Sequence, residues 1–376
     1  MRIHFIVNGI FPNKKAYGIQ IAKMCEAFVE AGADLTLVIP HTRASVQNVK
    51  EFYGLRKEIS VRVLPAIPLY HAGRIWFFLS SLSSMLSSTL YLWLQKLFGR
   101  GGVIYTVDLS TFSFANLVFC GLPVFIEVHD AKPYTIATKV FFLRATGVIV
   151  TNSEIRTHLL NQFKIPEQKC IVEQNSVDES WFTKEISRND ARSRVGIPLD
   201  RKVALYMGRF YAWKHLEILT EAAFLSSDID WYVVGGSQEE FKKVANVTSL
   251  PSNLHIMGEC SLVDVPLWLS GADALIVLGS LKTRQSSHFT TPMKIYEYMA
   301  MKRPVVASDT PALRSLIQEE AVFYTPDIPA SLAEEVRKAI EGGAEIEHMV
   351  QKAYSAAKQH TWNKRAERIL SFLSVQ

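Results

Sequence analysis

Short apolar runs alternate with amphipathic stretches along nearly the whole chain. The runs are rich in Val, Ile, Phe and Tyr, and this alternation predicts parallel sheets covered by helices on both faces. In the first half, the predicted strands are Ile3–Val7, Asp34–Ile39, Val61–Leu64, Val103–Thr106, Val124–Val128, Gly147–Thr151 and Cys170–Glu173. In the second half, they are Val203–Met207, Trp231–Val234, Leu254–Met257, Ala274–Val277, Pro304–Ala307 and Ala321–Tyr324.

The amphipathic stretches between these runs predict helices. Five of them are specific enough to be given bounds: Gly18–Ala31, Leu216–Leu225, Pro266–Ser270, Pro292–Met301 and Ile328–Glu341.

A domain boundary is expected between Val177 and Lys202, where no strong strand is predicted and the polar run SRNDARSR falls. A chain of 376 residues is long enough for two cores. We therefore predict an α/β protein of two Rossmann-like, doubly wound domains, 1–180 and 181–359. Such sheets bind ligands beyond the carboxyl ends of their strands, so both domains are expected to face a shared cleft.

The stretch Trp76–Phe98 is almost free of charge and about as long as the roughly 20 residues that span a bilayer. Its large residues form one helical stripe and its serines lie largely off that stripe. This pattern favours a helix packed in the core, or one in contact with a membrane surface, over a spanning helix. The stripe consists of Ile75, Leu79, Leu82, Leu86, Leu90, Trp93 and Leu97.

The charge is uneven along the chain. Residues 1–179 carry 18 Lys and Arg against 13 Asp and Glu, whereas residues 180–376 carry 23 of each. A basic first half suits an anionic acceptor or a peripheral contact with an anionic membrane. The alternative is that the excess charge only keeps the domain soluble. Basic and aromatic residues do not interleave as in a nucleic-acid groove, so no nucleic acid is expected as a partner.

The cysteines and the start of the chain indicate a cytoplasmic protein. The four cysteines lie far apart without a C-x-x-C pair, which argues against a disulfide framework or a zinc site. The start, MRIHFIVNGIF, leads into a strand and a turn and lacks the features of a signal peptide. The pair Asp228 and Asp230 precedes a strand, so we expect no metal site there.

The segment TTPMKIYEYMAMKRPVVASD (290–309) contains the most suggestive chemistry. Thr290 or Thr291 is predicted to cap a helix with Pro292 at its first position. Lys294 then lies in the first turn, where a cation interacts unfavourably with the helix dipole. An anion bound at the helix start would offset this interaction. Glu297, one turn later, suits a ribose diol. The alternative is a helix whose Lys and Glu face solvent.

Two further clusters follow predicted strands. Gly208, Arg209 and Lys214 come after Val203–Met207, where a glycine allows close approach and the two cations suit a diphosphate. Glu127, His129 and Asp130 end another strand and form either a functional site or a structural polar network. The loop Asn8–Gly18 carries glycines and two lysines before a helix, which suits an anion.

Taken in order, these segments resemble the retaining glycosyltransferases of the GT-B fold, family 4. Gly208 to Lys214 resembles the family's diphosphate clamp, and residues 290–309 resemble its donor-binding helix. The run 254–274 and the pair VTNSEIRTHLL and QNSVDESWF also match. TWNKRAERIL resembles the terminal helix, which in this family returns to the first domain, and this implies the same for residues 360–376.

The resemblance implies a retaining, metal-independent hexosyltransferase without a cofactor. Its donor would be a nucleotide sugar, and its acceptor a hydroxyl of a glycan, a lipid-linked molecule or a small molecule. Arg209 and Lys214 would hold the diphosphate, Glu297 the ribose, and His129 would contact the transferred sugar. The remaining residues would lie near the phosphates, Gly18 with its loop closing over them: Gly18, Gly208, Thr291, Pro292, Met293 and Lys294.

The resemblance departs at Phe289, where the family often carries a second glutamate that reaches the sugar. Two other functions remain open at this point. A sugar-nucleotide epimerase of the same fold would use Glu297 and the basic pair too, and a non-catalytic sugar-nucleotide-binding subunit would tolerate a change such as Phe289.

Overall fold

The computed structural model describes residues 1–107, 116–183, 186–261 and 263–375, apart from the side chain of Val46. These form two compact units, one of residues 1–174 with 362–376 and the other of residues 175–361. Each unit has its own parallel sheet and helices, so the α/β class predicted from the sequence is confirmed. The division by contacts falls after Gln174, beside the predicted division after residue 180.

The first unit is a doubly wound sheet. Its strands are β1 (Arg2–Ile6), β2 (Asp34–Pro40), β3 (Ser60–Leu64), β4 (Val103–Val107), β5 (Val124–Val128), β6 (Gly147–Val150) and β7 (Cys170–Val172). Its helices before residue 175 are α1 (Ala16–Glu30), α2 (Val49–Tyr53), α3 (Arg74–Leu97), α4 (Ile136–Arg144) and α5 (Ser153–Phe163). The parallel strands lie in the order β3-β2-β1-β4-β5-β6-β7, so the winding reverses between β1 and β4.

The second unit repeats this plan. Its strands are β8 (Lys202–Met207), β9 (Ile229–Val234), β10 (Leu254–Ile256), β11 (Ala274–Val277), β12 (Val305–Ser308) and β13 (Val322–Tyr324). Its helices are α6 (Arg188–Val195), α7 (Glu217–Phe224), α8 (Gln238–Ala245), α9 (Val265–Gly271), α10 (Arg284–His288), α11 (Lys294–Ala300), α12 (Pro311–Arg314), α13 (Pro329–Glu341) and α14 (Ala344–Ala357). The strand order is β10-β9-β8-β11-β12-β13, so the winding reverses between β8 and β11.

The polar run at the predicted boundary is itself a helix. Ser187 caps α6 by accepting a hydrogen bond from the Asp190 backbone N–H, and Gly196 ends the helix with a positive φ of 75°. The arginine-rich sequence hides the apolar spacing. Ser187 and Gly196 are nevertheless the ordinary start and stop residues of a helix, and they could have located it.

Helix α3 is amphipathic as its sequence indicates, but it faces the opposite way from a core helix. Its buried residues are four serines and one leucine: Ser80, Ser81, Ser84, Ser88 and Leu92. Most of the predicted stripe is exposed instead, as at Leu86, Leu90 and Trp93. The expectation that the stripe packs in the core is therefore wrong. Small serines let the helix approach its neighbours closely, and the hydroxyls of Ser80 and Ser81 bond to polar groups beneath it.

The last helix, α15 (Trp362–Val375), belongs to the first unit and packs on α1. Arg365 on this helix is fully buried and pairs with the equally buried Glu127 of β5, with 2.6 Å between Arg365 Nη2 and Glu127 Oε1. The guanidinium also donates to the backbone carbonyls of Gln174 (2.8 Å) and Glu173 (3.2 Å). Arg365 therefore ties the end of the chain to the middle of the first sheet.

Glu127 accepts hydrogen bonds from three further side chains. Gln20 of α1 donates at 2.6 Å, Tyr105 of β4 donates through its hydroxyl, and His129 Nε2 lies at 2.7 Å. Burial alone would raise the pKa of the Glu127 carboxyl, but Arg365 and His129 outweigh it and hold that pKa well below its usual range. Of the two interpretations of this cluster, Glu127 fits the structural network.

Removing the positive partner should destabilise the first unit. We expect Arg365→Met to lower the free energy of unfolding by about 3–5 kcal/mol near neutral pH, because it leaves the Glu127 carboxylate buried without its cation. Urea unfolding followed by circular dichroism measures this.

The matched control is Arg337→Met, which breaks an exposed pair with Asp228 (3.1 Å) and should cost no more than about 1 kcal/mol. Because the folded-state pKa of Glu127 is depressed, the pair stabilises the fold above about pH 4, the unfolded pKa of Glu, and its contribution is lost as the pH falls. A deficit in Arg365→Met no larger than in the control would contradict this role.

Candidate functional site

Predicted clamp residues meet at the carboxyl end of β8. Gly208 follows this strand where the winding of the sheet reverses, the place at which doubly wound sheets bind ligands. The ammonium groups of Lys214 and Lys294 both lie beside it. A Cβ added to Gly208 would lie 2.8 Å from Lys294 Nζ and 3.3 Å from Lys214 Nζ. Glycine at this position is therefore what leaves space between the two cations.

Both ammonium groups are held by neutral oxygens. Lys294 donates to the backbone carbonyl of Met207, the last residue of β8. Lys214 donates to the hydroxyl of Tyr206 and to the carbonyl of Arg209, each at 3.2 Å. These bonds fix the two positive charges near each other without neutralising them.

The pKa values of the two lysines reflect this environment. Burial lowers the pKa of Lys214 to about 7, and repulsion by Lys294 adds to the shift. Burial lowers the pKa of Lys294 to about 8, although Glu297 opposes this shift. A bound anion would favour the charged form of both lysines. The end of β8 thus holds two neighbouring lysines in fixed positions and is a candidate site for a group with several negative charges.

Three aromatic rings that were not among the predicted site residues surround Lys214. Its Nζ lies 5.8 Å from the ring centroid of Tyr206, 5.4 Å from that of Tyr211 and 5.5 Å from that of Trp213. The rings of Tyr211 and Trp213 are stacked, with an angle of 9° between their planes. Cation–π attraction holds the ammonium in place. The aromatic spacing YMGRFYAWK could have pointed to this arrangement.

Gly235 allows close packing between the segments that follow β8 and β9. It comes directly after β9 with a φ of +146°, and a Cβ on it would overlap the carbonyl of Gly208. The Gly208 backbone N–H donates to the Val234 carbonyl at 2.7 Å. Gly235 therefore lets the chain after β8 turn closely against β9.

The start of α11 differs from the prediction. The helix begins at Lys294, with Met293 as its N-terminal flanking residue and no side-chain cap. The prediction that Thr290 or Thr291 caps the helix and Pro292 takes the first position is wrong. The hydroxyl of Thr290 donates instead to a carbonyl of α10, 2.8 Å away. Lys294 lies in the first turn as expected, but its ammonium reaches back to β8.

Phe289 is buried and packs near the guanidinium of Arg284, 5.6 Å from the ring centroid. The segment 278–289, where no helix was predicted, contains α10, which Thr283 caps through a bond from the Ser286 backbone N–H. Phe289 is thus part of the packing. It supplies no polar group where the resembling family often has a glutamate.

Two predicted ligand contacts lie around this centre. Glu297 is half-buried on α11, one turn beyond Lys294, where its charge acts on that lysine. Arg209 follows Gly208 directly and its side chain is exposed, so its guanidinium is accessible to a ligand at the end of β8. The alternative in which both Lys294 and Glu297 simply face solvent does not fit.

Gly18 lies inside α1 and not in the loop before it, which corrects the predicted extent of that loop. A Cβ on Gly18 would lie 2.6 Å from the hydroxyl of Tyr53 and 2.8 Å from the carbonyl of Asn13. Asn13 and Tyr53 are themselves hydrogen-bonded at 2.8 Å. Gly18 therefore packs the start of α1 against the loop that precedes it.

His129 follows β5 in the first unit and is half-buried. The bond between its Nε2 and Glu127 (2.7 Å) orients the ring and favours the tautomer with the proton on Nε2. Asp130, the third member of the cluster, pairs with Lys132. The hydrogen bond to Glu127 thus fixes the orientation of the His129 ring.

Within the described ranges, no group of three or more His, Cys, Asp or Glu side chains is placed to hold a metal ion. A cavity of about 690 Å³ in the second unit is lined by Arg188, Asp273, Lys302, Arg303 and His348, among others. Asp273 and Pro304, which also lines it, precede β11 and β12. The cavity is therefore at the amino end of the sheet, away from Gly208.

Comparison with known proteins identifies the fold and a family that part of the chain matches. Residues 201–342, which contain β8, Gly208 and α11, match the family described as Glycosyl transferases group 1. This match covers less than half of the chain, whereas the GT-B fold extends over nearly all of it. These findings support the GT-B glycosyltransferase part of the resemblance stated from the sequence, and the retaining mechanism stays a prediction.

Two relatives match in sequence. An alpha-D-kanosaminyltransferase of Streptomyces kanamyceticus is 22% identical over 62% of this chain and 65% of its own length. A D-inositol 3-phosphate glycosyltransferase of Catenulispora acidiphila is 25% identical over 65% of this chain and 61% of its own length. The match therefore spans less than two thirds of each of these relatives.

Solved structures match over nearly the whole chain. A glycosyltransferase of Rickettsia africae has a TM-score of 0.77 at 15% identity, covering 99% of this chain and 97% of that one. HepE of Anabaena, in complex with UDP and glucose, has a TM-score of 0.73 at 16% identity, covering 100% and 99%. At these identities the likeness shows the GT-B fold.

Filling the space at Gly208 should disrupt the cation pair. We expect Gly208→Ala to weaken the binding of inorganic pyrophosphate roughly tenfold or more, because the new methyl group displaces one or both ammonium groups. Isothermal titration calorimetry measures the affinity. Gly271→Ala is the control, since its added Cβ would meet ordinary contacts at 3.4 Å or more. Equal affinities in the two variants would contradict the assignment.

The lowered lysine pKa values predict a pH dependence. Raising the pH from about 7 to about 9 neutralises Lys214 and then Lys294, so affinity for pyrophosphate should fall relative to a protein whose cation stays charged. Lys214→Arg is that reference, because arginine does not titrate in this range and the ionisation of the ligand is common to both proteins. Parallel pH profiles would contradict the shift at Lys214.

Proposed function

We propose that this protein transfers a hexose-like sugar from a nucleotide diphosphate sugar to an acceptor hydroxyl. The observation that supports this most directly is the pair of ammonium groups on either side of Gly208. A diphosphate is a leaving group whose negative charge grows as the glycosidic bond breaks, and two fixed cations at its position stabilise that charge. The match of residues 201–342 to the group 1 glycosyl transferases covers this same pair.

In this proposal the second unit binds the donor. Lys214, Lys294 and the exposed Arg209 bind the diphosphate, and Thr291, Pro292 and Met293 lie near it. Glu297, one turn further along α11, accepts hydrogen bonds from the ribose hydroxyls. HepE, a neighbour in fold, has been solved with UDP-glucose, which makes a uridine nucleotide the first donor to try.

The proposed transfer retains the configuration at the anomeric carbon, as the resemblance to family 4 implies. The bond from that carbon to the diphosphate breaks, and the acceptor oxygen bonds to the same face of the sugar. The acceptor proton passes to an oxygen of the departing diphosphate. His129, fixed by Glu127, contacts the sugar near this carbon, and the loop before α1 closes over the phosphates.

The reaction is proposed to need no divalent metal, because lysine and arginine side chains supply the positive charge that a metal would otherwise bring to the diphosphate. The acceptor is proposed to be a glycan, a lipid-linked molecule or a small molecule with a free hydroxyl. A cytoplasmic location suits a donor made in the cytoplasm, and polysaccharide synthesis is a process that such a reaction serves.

The proposal is tested by incubating the purified chain with UDP- and GDP-sugars in the presence of EDTA. We expect release of the nucleoside diphosphate, slowly to water and faster with a suitable acceptor, and a product with retained configuration by NMR. Arg209→Ala should lower turnover roughly 10²–10³-fold, as loss of one contact to developing charge does.

Arg337→Ala is the control for that substitution, since this arginine lies on α13 and pairs with Asp228 at the surface. Formation of a new sugar nucleotide without any acceptor would indicate an epimerase instead. Donor binding without release of nucleotide, across donors and acceptors, would indicate a non-catalytic binding subunit. Loss of activity in EDTA that magnesium or manganese restores would overturn the metal-free part.

A further inference from the structure

Helix α3 presents an apolar face to solvent along its whole length. Five residues of its stripe are exposed, with fractional exposures from 54% at Trp93 to 77% at Leu97: Ile75, Leu86, Leu90, Trp93 and Leu97. Contiguous apolar surface of this extent is unusual on a soluble monomer and indicates a surface that contacts something else. The helix is also long and apolar enough to cross a membrane by length and composition.

The inner face of α3 is committed to the protein by hydrogen bonds. The Ser81 hydroxyl accepts from the Asn8 side chain (3.2 Å), and the Ser80 and Ser83 hydroxyls accept from the backbone N–H groups of Leu69 (3.2 Å) and Ile67 (2.9 Å). Turning the apolar stripe inward would break these bonds. The helix therefore neither inserts across a bilayer nor rotates into the core while the unit keeps this fold.

The charged residues that flank α3 along the sequence are all basic, and Asp34, whose charge acts on Tyr91 of α3, is paired with Arg2. Between Glu58 and Asp108 the sequence contains no carboxylate side chain, while it contains Arg62, Arg74, Lys96 and Arg100. Arg74 stands in the first turn of α3, where a cation opposes the helix dipole, so it gains nothing from the helix itself. Cations at both ends of an exposed apolar stripe complement a surface that is apolar within and anionic outside.

Apolar exposure continues beyond α3. Phe119, in the connection between β4 and β5, is 57% exposed, and the guanidinium of Arg144 lies 4.8 Å from its ring centroid. Asn116 in the same connection donates to the Met85 carbonyl of α3 (3.2 Å), which joins the two regions. Phe119 and Arg144 thus add an exposed aromatic ring and a cation to the apolar and basic surface of α3.

We propose that the α3 face, defined by Ile75, Leu86, Leu90, Trp93 and Leu97 with its flanking cations, docks on an anionic lipid bilayer. The helix lies in the plane of the interface, with the stripe among the acyl chains and the basic side chains at the headgroups. This does not depend on the proposed reaction, because it concerns a surface of the first unit alone.

The test is co-sedimentation of the purified full-length chain with phosphatidylcholine vesicles that contain or lack phosphatidylglycerol. We expect binding to the anionic vesicles and at least roughly fivefold weaker binding to the neutral ones, given the contribution of each basic residue near such a surface. Leu86→Gln with Leu90→Gln should weaken binding to anionic vesicles roughly tenfold or more, since both leave the hydrocarbon.

The matched control is Leu199→Gln with Val263→Gln, two exposed apolar residues of the second unit, which should leave vesicle binding unchanged. Unchanged thermal unfolding midpoints in both double variants exclude misfolding as the cause. Tryptophan fluorescence of a Trp93→Phe variant should lose part of the blue shift that anionic vesicles induce.

Failure of the wild-type chain to sediment with anionic vesicles would overturn the proposal. So would equal losses in the two double variants. Sedimentation velocity without lipid is the last measurement. If the chain forms a concentration-dependent dimer and Leu86→Gln with Leu90→Gln abolishes it, the α3 face binds a second copy of the chain instead.

Discussion

Arg365 and Glu127 are ionised side chains held entirely out of water, and the first unit is organised around their pairing. Removing two charges from water is costly, and only close pairing with further hydrogen bonds offsets that cost. Here Gln20, Tyr105 and His129 complete the shell of the carboxylate, while backbone carbonyls complete that of the guanidinium. These groups come from α1, β4 and the segments that follow β5 and β7, so the position of one constrains the others.

The second unit shows the opposite treatment of charge. Lys214 and Lys294 are held beside Gly208 by neutral oxygens, and burial lowers the pKa of both lysines. The first unit pairs its buried carboxylate with a buried cation, whereas the second holds two lysine ammonium groups beside neutral oxygens at its candidate binding site. This contrast separates the structural network at Glu127 from the candidate binding site.

Most strands could be predicted, because buried apolar runs between helical stretches are distinctive. β5 and β11 have the predicted bounds, and other predicted strands differ at their ends by one or two residues, as in β8 and β9. The α6 helix was missed because its arginines obscure the spacing of apolar residues, and the start of α11 was misplaced because two threonines and a proline imitate a cap.

At the site, the residue types were predictable and their geometry was not. Nothing in the local sequence shows that the Lys294 ammonium reaches the end of β8, since that contact joins residues 87 positions apart. The orientation of α3 was misjudged for a related reason. Amphipathicity shows that a helix has two faces, but only the hydrogen bonds to Ser80, Ser81 and Ser83 determine which one turns inward.

The return of α15 to the first unit has a consequence for how the chain is made. Glu127 emerges from the ribosome well before Arg365, and the second unit, residues 175–361, is complete before its partner helix appears. During synthesis the first sheet therefore lacks the cation that pairs with the Glu127 carboxylate until the second unit has been made. The unit that is begun first is thus the one completed last, when α15 has been made.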